Sequence, residues 1–295
     1  MIQSTNKILV PIDFSEQSLL ALDQSYNLAR KYHAEITLLH VVEDQGMIAK
    51  LFSQKQHDDL KKTIQKDLDK LAAEVEKKNK LTVSSLVAQG SVYEKINEVA
   101  ELINATFIVM GTNGEDSVKK KFIGSNALRV VRESRIPVIT IKGTEHRKGI
   151  ENIVLPLDLS KETKEKVGMA IHLSKLFNKA VVRVVSVLFT SDEFVVNRLT
   201  RQLGQVKAFL EREGVECSAE IVKGVKGEDS LAQNILEYAE KVEGDLIMIM
   251  TQQELDVTKY FIGSSAQEII NHSTIPVLSI RPVFKKDTTV FPYPY

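Results

Sequence analysis

Most of this chain consists of two copies of one sequence pattern. Three segments of the first copy return in the same order in the second, with apolar, glycine and proline positions matched. They are KILVPIDFS at 7–15 with NIVLPLDLS at 152–160, FIGSNA at 122–127 with FIGSSA at 261–266, and SRIPVITI at 134–141 with STIPVLSI at 273–280. The period is too long for a solenoid repeat and long enough for a whole domain. The repeat therefore predicts a duplicated domain.

The repeat also predicts the domain limits. With 295 residues the chain has room for about two domains, each able to bury its own core. We predict a first domain at 1–143 and a second at 150–283, with the polar, glycine-flanked segment 143–149 as linker. The tail at 284–295 falls outside the repeat, and we expect it to lie on the surface or to be disordered.

Within each copy, short apolar stretches rich in β-branched residues alternate with amphipathic stretches. In the first copy the predicted strands are 8–12, 36–42, 82–88, 106–110 and 138–141. Ser15 is the predicted cap of the first helix, and Ser91 with Glu94 forms a predicted capping box at a later helix. Strands separated by helices predict an α/β fold with two tandem doubly wound parallel sheets.

The segment 54–79 has apolar residues at helical spacing and admits two interpretations. It is either a helix that covers the sheet or a coiled-coil partner helix. Only about three heptads fit into it, so we expect it to cover the sheet.

Composition excludes several classes of function. Lys plus Arg and Asp plus Glu are equal at 39 each, so the chain lacks the positive field of a nucleic-acid binder. No apolar run approaches the length of about 18 residues that predicts a membrane-spanning helix, and the N-terminal segment lacks the pattern of a signal peptide. One cysteine cannot form an internal disulfide. We therefore expect a cytoplasmic protein that binds neither nucleic acid nor membrane.

A glycine-rich loop in the first copy predicts a site for an anion. The predicted strand that ends at Met110 is followed by Gly111, Gly114, Gly124 and Ser125, with the spacing G-x2-G-x9-G-S, and then by a predicted helix. Glycines allow the backbone to approach a ligand, and the free N–H groups of a helix N-terminus attract phosphate. The spacing differs from both the Walker A loop and the dinucleotide-binding G-x-G-x-x-G.

This spacing resembles the ATP-binding signature of the universal stress protein family, and the first copy matches it completely. The resemblance implies the fold of adenine nucleotide alpha hydrolases, with strand order 3-2-1-4-5 in each sheet. It also implies a cytoplasmic signalling or protective protein that binds ATP, or AMP or ADP, with weak hydrolysis or none. Single-domain relatives commonly dimerise through the fifth strand. The two copies are thus expected to pack as a pseudo-dimer within the chain, a homodimer of chains being a further possibility.

The resemblance also implies the binding residues, all in the first copy. Asp13, with Pro11 near it, would contact the ribose, and main-chain groups near Val41 would contact adenine; His40 beside it is expected to be packed or hydrogen-bonded. The phosphates would lie on the glycine loop, which comprises Met110, Gly111, Gly114, Gly124, Ser125 and Asn126.

Other interpretations of these residues stay open. Asp13 also fits a turn or cap before the first helix. The lysines at 119–121 would either reach a terminal phosphate, with Mg²⁺ as partner in a slow ATPase or self-phosphorylating protein, or form a solvated run. The second copy has Met250 and Gln253 where the first has glycines, which predicts weak nucleotide binding or a different small ligand there. The chain would alternatively be an interaction protein that binds no nucleotide, with a protein partner that the sequence leaves unidentified.

Overall fold

A computed structural model describes residues 6–43, 54–112, 124–143, 149–157, 163–225, 227–253, 260–261 and 263–281. In the first half the elements are β1 (Lys7–Pro11), α1 (Glu16–Tyr32), β2 (Glu35–Val42), α2 (Gln54–Asn79), β3 (Val83–Gln89), α3 (Val92–Leu102), β4 (Phe107–Gly111), α4 (Ser125–Glu133) and β5 (Val138–Ile141). In the second half they are β6 (Asn152–Pro156), α5 (Thr163–Leu176), β7 (Val181–Leu188), α6 (Glu193–Arg212), β8 (Cys217–Lys223), α7 (Leu231–Lys241), β9 (Leu246–Met250), β10 (Gln252–Gln253), β11 (Tyr260–Phe261), α8 (Ser264–His272) and β12 (Val277–Ile280).

The two halves share one ten-stranded sheet with the order β3-β2-β1-β4-β5-β12-β9-β6-β7-β8. Within each half the pairings are parallel, and the order is 3-2-1-4-5 counted from the edge inward. The halves join where β5 pairs with β12 in the antiparallel direction. The predicted fold class and strand order are confirmed. The helices that the structure describes include no candidate for a membrane-spanning segment.

Two apolar layers cover the sheet, and each layer runs across both halves. One contains residues of α1 and α2 with residues of α5 and α6; the other contains residues of α3 and α4 with residues of α7 and α8. In α2, Leu68, Ala72 and Val75 are buried in the first layer. This burial confirms that the segment 54–79 covers the sheet.

The junction between the halves has an approximate twofold axis. Ile139 faces Leu278 at its centre, and Val138 and Thr140 face Ser279 and Val277 on either side. In a layer of helices beside the strands, Tyr32 of α1 packs on His172 of α5, with ring centroids 5.5 Å apart. The linked sheet and the contacts between helices confirm the predicted pseudo-dimer within one chain.

Two cations reinforce this junction in a reciprocal way. Lys142, just after β5, donates a hydrogen bond to the carbonyl of Asn271 at the end of α8. Arg281, just after β12, donates to the carbonyl of Glu133 at the end of α4, at 3.3 Å. Cations are favoured at helix C-termini because the last carbonyls there lack helical partners. Burial at this junction lowers the pKa of Lys142. Each half thus caps a helix of the other half.

One local prediction is wrong. Ser91 is the N-cap of α3, as expected, but its side chain forms no capping hydrogen bond. The carboxylate of Glu94 instead accepts a hydrogen bond from the hydroxyl of Tyr93, at 2.9 Å. The reciprocal bonds of a capping box are therefore not formed.

Candidate functional site

The site predicted in the first half lies where β1 and β4 diverge. β1 pairs with β2 along its whole length, whereas its pairing with β4 is confined to Ile8 with Phe107 and Leu9 with Ile108. The connections from these two strands leave in opposite directions along the sheet, which makes their carboxyl ends a topological switch point, the place where a crevice is expected. In open α/β sheets ligands bind at such a switch point.

Asp13 follows β1 at this crevice and forms a turn with Ser15. Its Oδ1 accepts hydrogen bonds from the Ser15 N–H at 3.0 Å and the Ser15 hydroxyl at 2.5 Å. Ser15 in turn caps α1, because its Oγ accepts from the N–H of Ser18 at 3.2 Å. The turn role considered for Asp13 is therefore present. It uses one carboxylate oxygen, and Oδ2 accepts no hydrogen bond from the residues that the structure describes.

The backbone between Asp13 and Ser15 is strained at Phe14. This residue has a φ of 65°, in the left-handed region that a bulky side chain rarely adopts. Phe14 is 39% exposed, and its ring lies against His40, with centroids 5.7 Å apart. Strain of this kind concentrates at functional sites. The left-handed conformation of Phe14 places a partly exposed aromatic residue directly after Asp13.

His40 joins the ends of β1 and β2. Its Nδ1 lies 2.7 Å from the carbonyl oxygen of Ile12, and a carbonyl only accepts, so Nδ1 carries the proton. In the second half Ser186 takes the same place and donates to the carbonyl of Leu157 at 2.6 Å. The hydrogen-bonded state expected for His40 is confirmed. Val41, the residue implied for adenine, is half-buried, one position before the end of β2.

Gly111 ends β4 and is required by the packing of α1. A Cβ at this position would lie 2.8 Å from the backbone carbon and oxygen of Gln17, in the first turn of α1. Such a contact is closer than real Cβ atoms show, and backbone cannot rotate away as a flexible side chain can. The glycine therefore allows the N-terminus of α1 to approach the crevice edge of the sheet.

This packing makes a prediction about stability. We expect Gly111→Ala to lower the free energy of unfolding by about 1–3 kcal/mol, with or without nucleotide, because the added methyl group must displace α1. Denaturant unfolding provides the measurement. Gly168→Ala is the control, because Gly168 is exposed within α5 and an added Cβ meets nothing within 4 Å. The free energy of unfolding of this variant should rise by about 0.5–1 kcal/mol. An unchanged stability for Gly111→Ala would contradict the close packing.

Gly124 starts α4 at the same edge of the sheet. Its N–H donates to the carbonyl of Thr112 at 2.7 Å, which ties the start of the helix to the end of β4. Gly124 is the N-cap, and it offers no side chain to the first N–H groups of the helix. Ser125 is exposed and Asn126 is half-buried in the first turn. Within the described residues no side chain caps these first N–H groups, which are the type of donor that binds an anion at a helix N-terminus.

The predicted site residues of the first half that the structure describes thus lie together at the carboxyl ends of the strands. Pro11, Met110 and Gly111 lie at strand ends, Asp13 follows β1, Val41 lies near the end of β2, and Gly124, Ser125 and Asn126 start α4. The side chain of Met110 is buried in the apolar core, so only its backbone faces the crevice edge. Gly114 and the lysines at 119–121 lie outside the described residues. Within the described part of the chain, no three His, Cys, Asp or Glu side chains cluster as a metal site.

Comparison with known proteins identifies the family. The model of the universal stress protein family matches residues 4–142 and again 149–281. The chain belongs to the universal stress protein family. Curated relatives include Universal stress protein MJ0531 of Methanocaldococcus jannaschii, 29% identical over 147 residues that make up 46% of this chain and 81% of the relative. Universal stress protein YxiE of Bacillus subtilis is 27% identical over 146 residues, 46% of this chain and 99% of the relative.

Solved structures agree with the two-domain architecture. A universal stress protein from Archaeoglobus fulgidus aligns with a TM-score of 0.73 at 21% identity, covering 95% of this chain and 97% of that one. The protein PA1789 from Pseudomonas aeruginosa aligns with a TM-score of 0.68 at 18% identity, covering 94% and 93%. At these identities the likeness shows the fold alone, which is that of a tandem universal stress protein.

The second universal stress protein domain keeps the frame of the site but changes its lining. Met250 stands at the end of β9 in the place of Gly111 and is buried. The chain then forms a hairpin, in which Gln252 pairs with Phe261 and Gln253 with Tyr260. Gly263 caps α8 as Gly124 caps α4. The hairpin was not predicted from the sequence, and Asp158, the counterpart of Asp13, lies outside the described residues.

Proposed function

We propose that the first domain binds ATP, or AMP or ADP, and that the chain acts as a cytoplasmic nucleotide-binding stress protein with a signalling or protective role. One observation carries the proposal. α4 starts at Gly124, which has no capping side chain, beside the end of β4, and the carboxylate of Asp13 follows the neighbouring strand β1. An anion-binding helix end together with a hydroxyl-binding carboxylate suits a nucleotide.

The phosphates would contact the N–H groups of the first turn of α4. Charge-assisted hydrogen bonds from these groups are stronger than neutral ones, and the helix dipole adds to them. Ser125 is exposed in that turn and would add a hydroxyl donor. A Mg²⁺ ion, where it accompanies ATP, would be held largely by the phosphates and water, as is usual for this cation.

The ribose would lie against Asp13. Its Oδ1 is held by Ser15, which fixes the carboxylate in one orientation and leaves Oδ2 for a ribose hydroxyl. A side chain oriented before binding loses little entropy on binding. The turn role and the proposed ligand role of Asp13 are therefore compatible, because the first positions the side chain for the second.

Titration of the purified full chain with ATP by calorimetry tests the proposal. We expect about one site per chain, because the glycine loop is complete in the first domain only. Mass spectrometry of nucleotide released from the purified protein is a second measurement. A chain that neither carries nor binds adenine nucleotides would contradict the proposal and favour an interaction protein. Two equal sites would contradict the assignment to the first domain.

A further prediction separates the two roles of Asp13. We expect Asp13→Ala to weaken ATP and AMP alike, by about tenfold or more, because a hydrogen bond to a charged group is worth about 1.5–3 kcal/mol. The variant should also lose about 1 kcal/mol of stability with the turn.

Ser15→Ala is the matched control for this prediction. Ser15 is buried and caps α1, so the loss of its hydroxyl should lower the free energy of unfolding by a similar amount. The affinity for ATP should fall much less than in Asp13→Ala, because the Ser15 N–H is retained and still holds Oδ1 of Asp13. Equal affinities for wild type and Asp13→Ala would restrict Asp13 to the turn.

A further inference from the structure

The second domain contains a buried cation at a position where the first domain has an alanine. Lys166 lies in α5, and only 8% of its surface is exposed. Its Nζ donates a hydrogen bond to the carbonyl oxygen of Pro156, the last residue of β6, at 2.9 Å. Lysine is almost never buried to this degree without a specific partner, because removing an ammonium group from water is costly.

The direction of the Pro156 carbonyl places this ammonium group in the crevice of the second domain. The next residue, Leu157, faces β7: its N–H donates to Val185, and its carbonyl accepts from Ser186. Backbone groups of successive strand residues point to opposite neighbours, so the Pro156 carbonyl faces β9. The pairing of β6 with β9 ends at Val154 with Ile247, before this carbonyl. The ammonium group therefore lies where β6 and β9 diverge.

The first domain has only a methyl group at the corresponding position. The repeat aligns Pro156 with Pro11 and Lys166 with Ala21. Ala21 lies in α1 and is fully buried on the inner face of the helix. The replacement of alanine by lysine adds four heavy atoms and a charge next to the crevice. Met250, which takes the place of Gly111, adds a second bulky side chain at the end of the neighbouring strand β9.

We propose that Lys166 plugs the crevice of the second domain and keeps nucleotide out of it. The proposal rests on nucleotide binding by the first domain, and it assigns the difference between the domains to the crevice wall as well as to the glycine loop. To enter, a nucleotide would have to expel the side chain and break its hydrogen bond with β6. An unpaired buried carbonyl would then remain unless the ligand replaced the bond.

The first test transplants the lysine into the full chain. Ala21→Lys should lower the affinity of the first domain for ATP at least 100-fold, although its glycine loop is untouched. Leu19→Lys adds the same charge on an exposed position of α1 and should leave the affinity unchanged. Unfolding curves of both variants establish that they are folded. A folded Ala21→Lys variant that binds ATP as wild type does would overturn the proposal.

The second test needs neither a variant nor a nucleotide. The wild-type chain is treated with a limiting amount of an amine-reactive acetylating reagent. The extent of acetylation of each lysine is then measured by mass spectrometry. Lys166 should react at least tenfold more slowly than Lys175, whose side chain is 53% exposed on the same helix. Equal rates would show an open crevice and overturn the plug. If wild-type protein binds no ATP, the proposed function fails, and the acetylation rates still decide whether Lys166 fills the crevice.

Discussion

Gly124→Asp is expected to lower the affinity for ATP at least 100-fold while the protein stays folded. The loss of affinity and the retained stability have the same cause, which is that aspartate is a good N-cap residue. Gly124 is the N-cap of α4 with φ −63° and ψ 149°, a conformation that any residue adopts. Aspartate is among the preferred N-cap residues, because its carboxylate accepts hydrogen bonds from the first N–H groups of the helix. Those are the groups proposed to bind the phosphates.

The expected loss follows from the charges involved. An aspartate at the helix start occupies the donors and places a negative charge beside the phosphates. Two unit charges 4 Å apart near a protein surface repel by about 4 kcal/mol, whereas a 100-fold change in affinity corresponds to about 2.7 kcal/mol. The added Cβ lies 3.2 Å from the Thr112 carbonyl oxygen, a tight contact that a small shift relieves. Stability should therefore change little.

The second domain supplies the matched control. Gly263 caps α8 with nearly the same conformation, φ −56° and ψ 151°. Gly263→Asp makes the same chemical change at the equivalent position, and ATP affinity should remain that of wild type. Calorimetry measures both affinities, and denaturant unfolding measures both stabilities. If Gly124→Asp is stable and still binds ATP normally, the phosphates are not held by α4.

The fold was predictable because each strand is marked by a short apolar run in the sequence and because these runs occur in both copies. Each strand of the core is a short apolar run, and each run occurs in both copies, so alternation and repeat indicate the same elements. Even the junction was predictable: a fifth strand such as 138–141 is apolar nearly throughout, and an exposed apolar edge strand needs a partner. β5 found that partner in β12.

The site was predictable only in part, because two of its features depend on contacts distant in sequence. A glycine motif predicts close approach of a backbone, but not which backbone, and at Gly111 that backbone is the first turn of α1. Lys166 falls in an amphipathic segment where a lysine usually marks the solvated face. Only the alignment of the two copies, which sets it against the buried Ala21, indicates that it faces inward.

The capping box was predicted wrongly and the hairpin was missed, each for a local reason. Ser91 and Glu94 have the spacing of a capping box, but Glu94 accepts a hydrogen bond from Tyr93 instead. The spacing alone does not show that another side chain competes for Glu94. The strands β10 and β11 have two residues each, too few for alternation to show.

The isolated first half, residues 1–143, is expected to form dimers or to aggregate. In the full chain β5 is covered by β12, and Ile139 and Ile141 are 7% and 2% exposed at that junction. Removal of the second half exposes the edge of β5 together with the apolar layers on both sides of the sheet. Unpaired edge strands with apolar side chains pair with other chains.

The geometry of the resulting dimer follows from the junction in the full chain. Ile139 faces Leu278 on the pseudo-twofold axis, so a second copy of the half would place Ile139 against Ile139 and Val138 against Thr140. The pairing then becomes symmetric about the twofold axis. Light scattering on the isolated half and on the full chain at equal mass concentration makes the comparison, because the full chain needs no second chain to cover this edge. The linker between the halves makes the native pairing intramolecular and so favours it over pairing between chains. A soluble first half that stays strictly monomeric at high concentration would show that β5 does not need a partner strand.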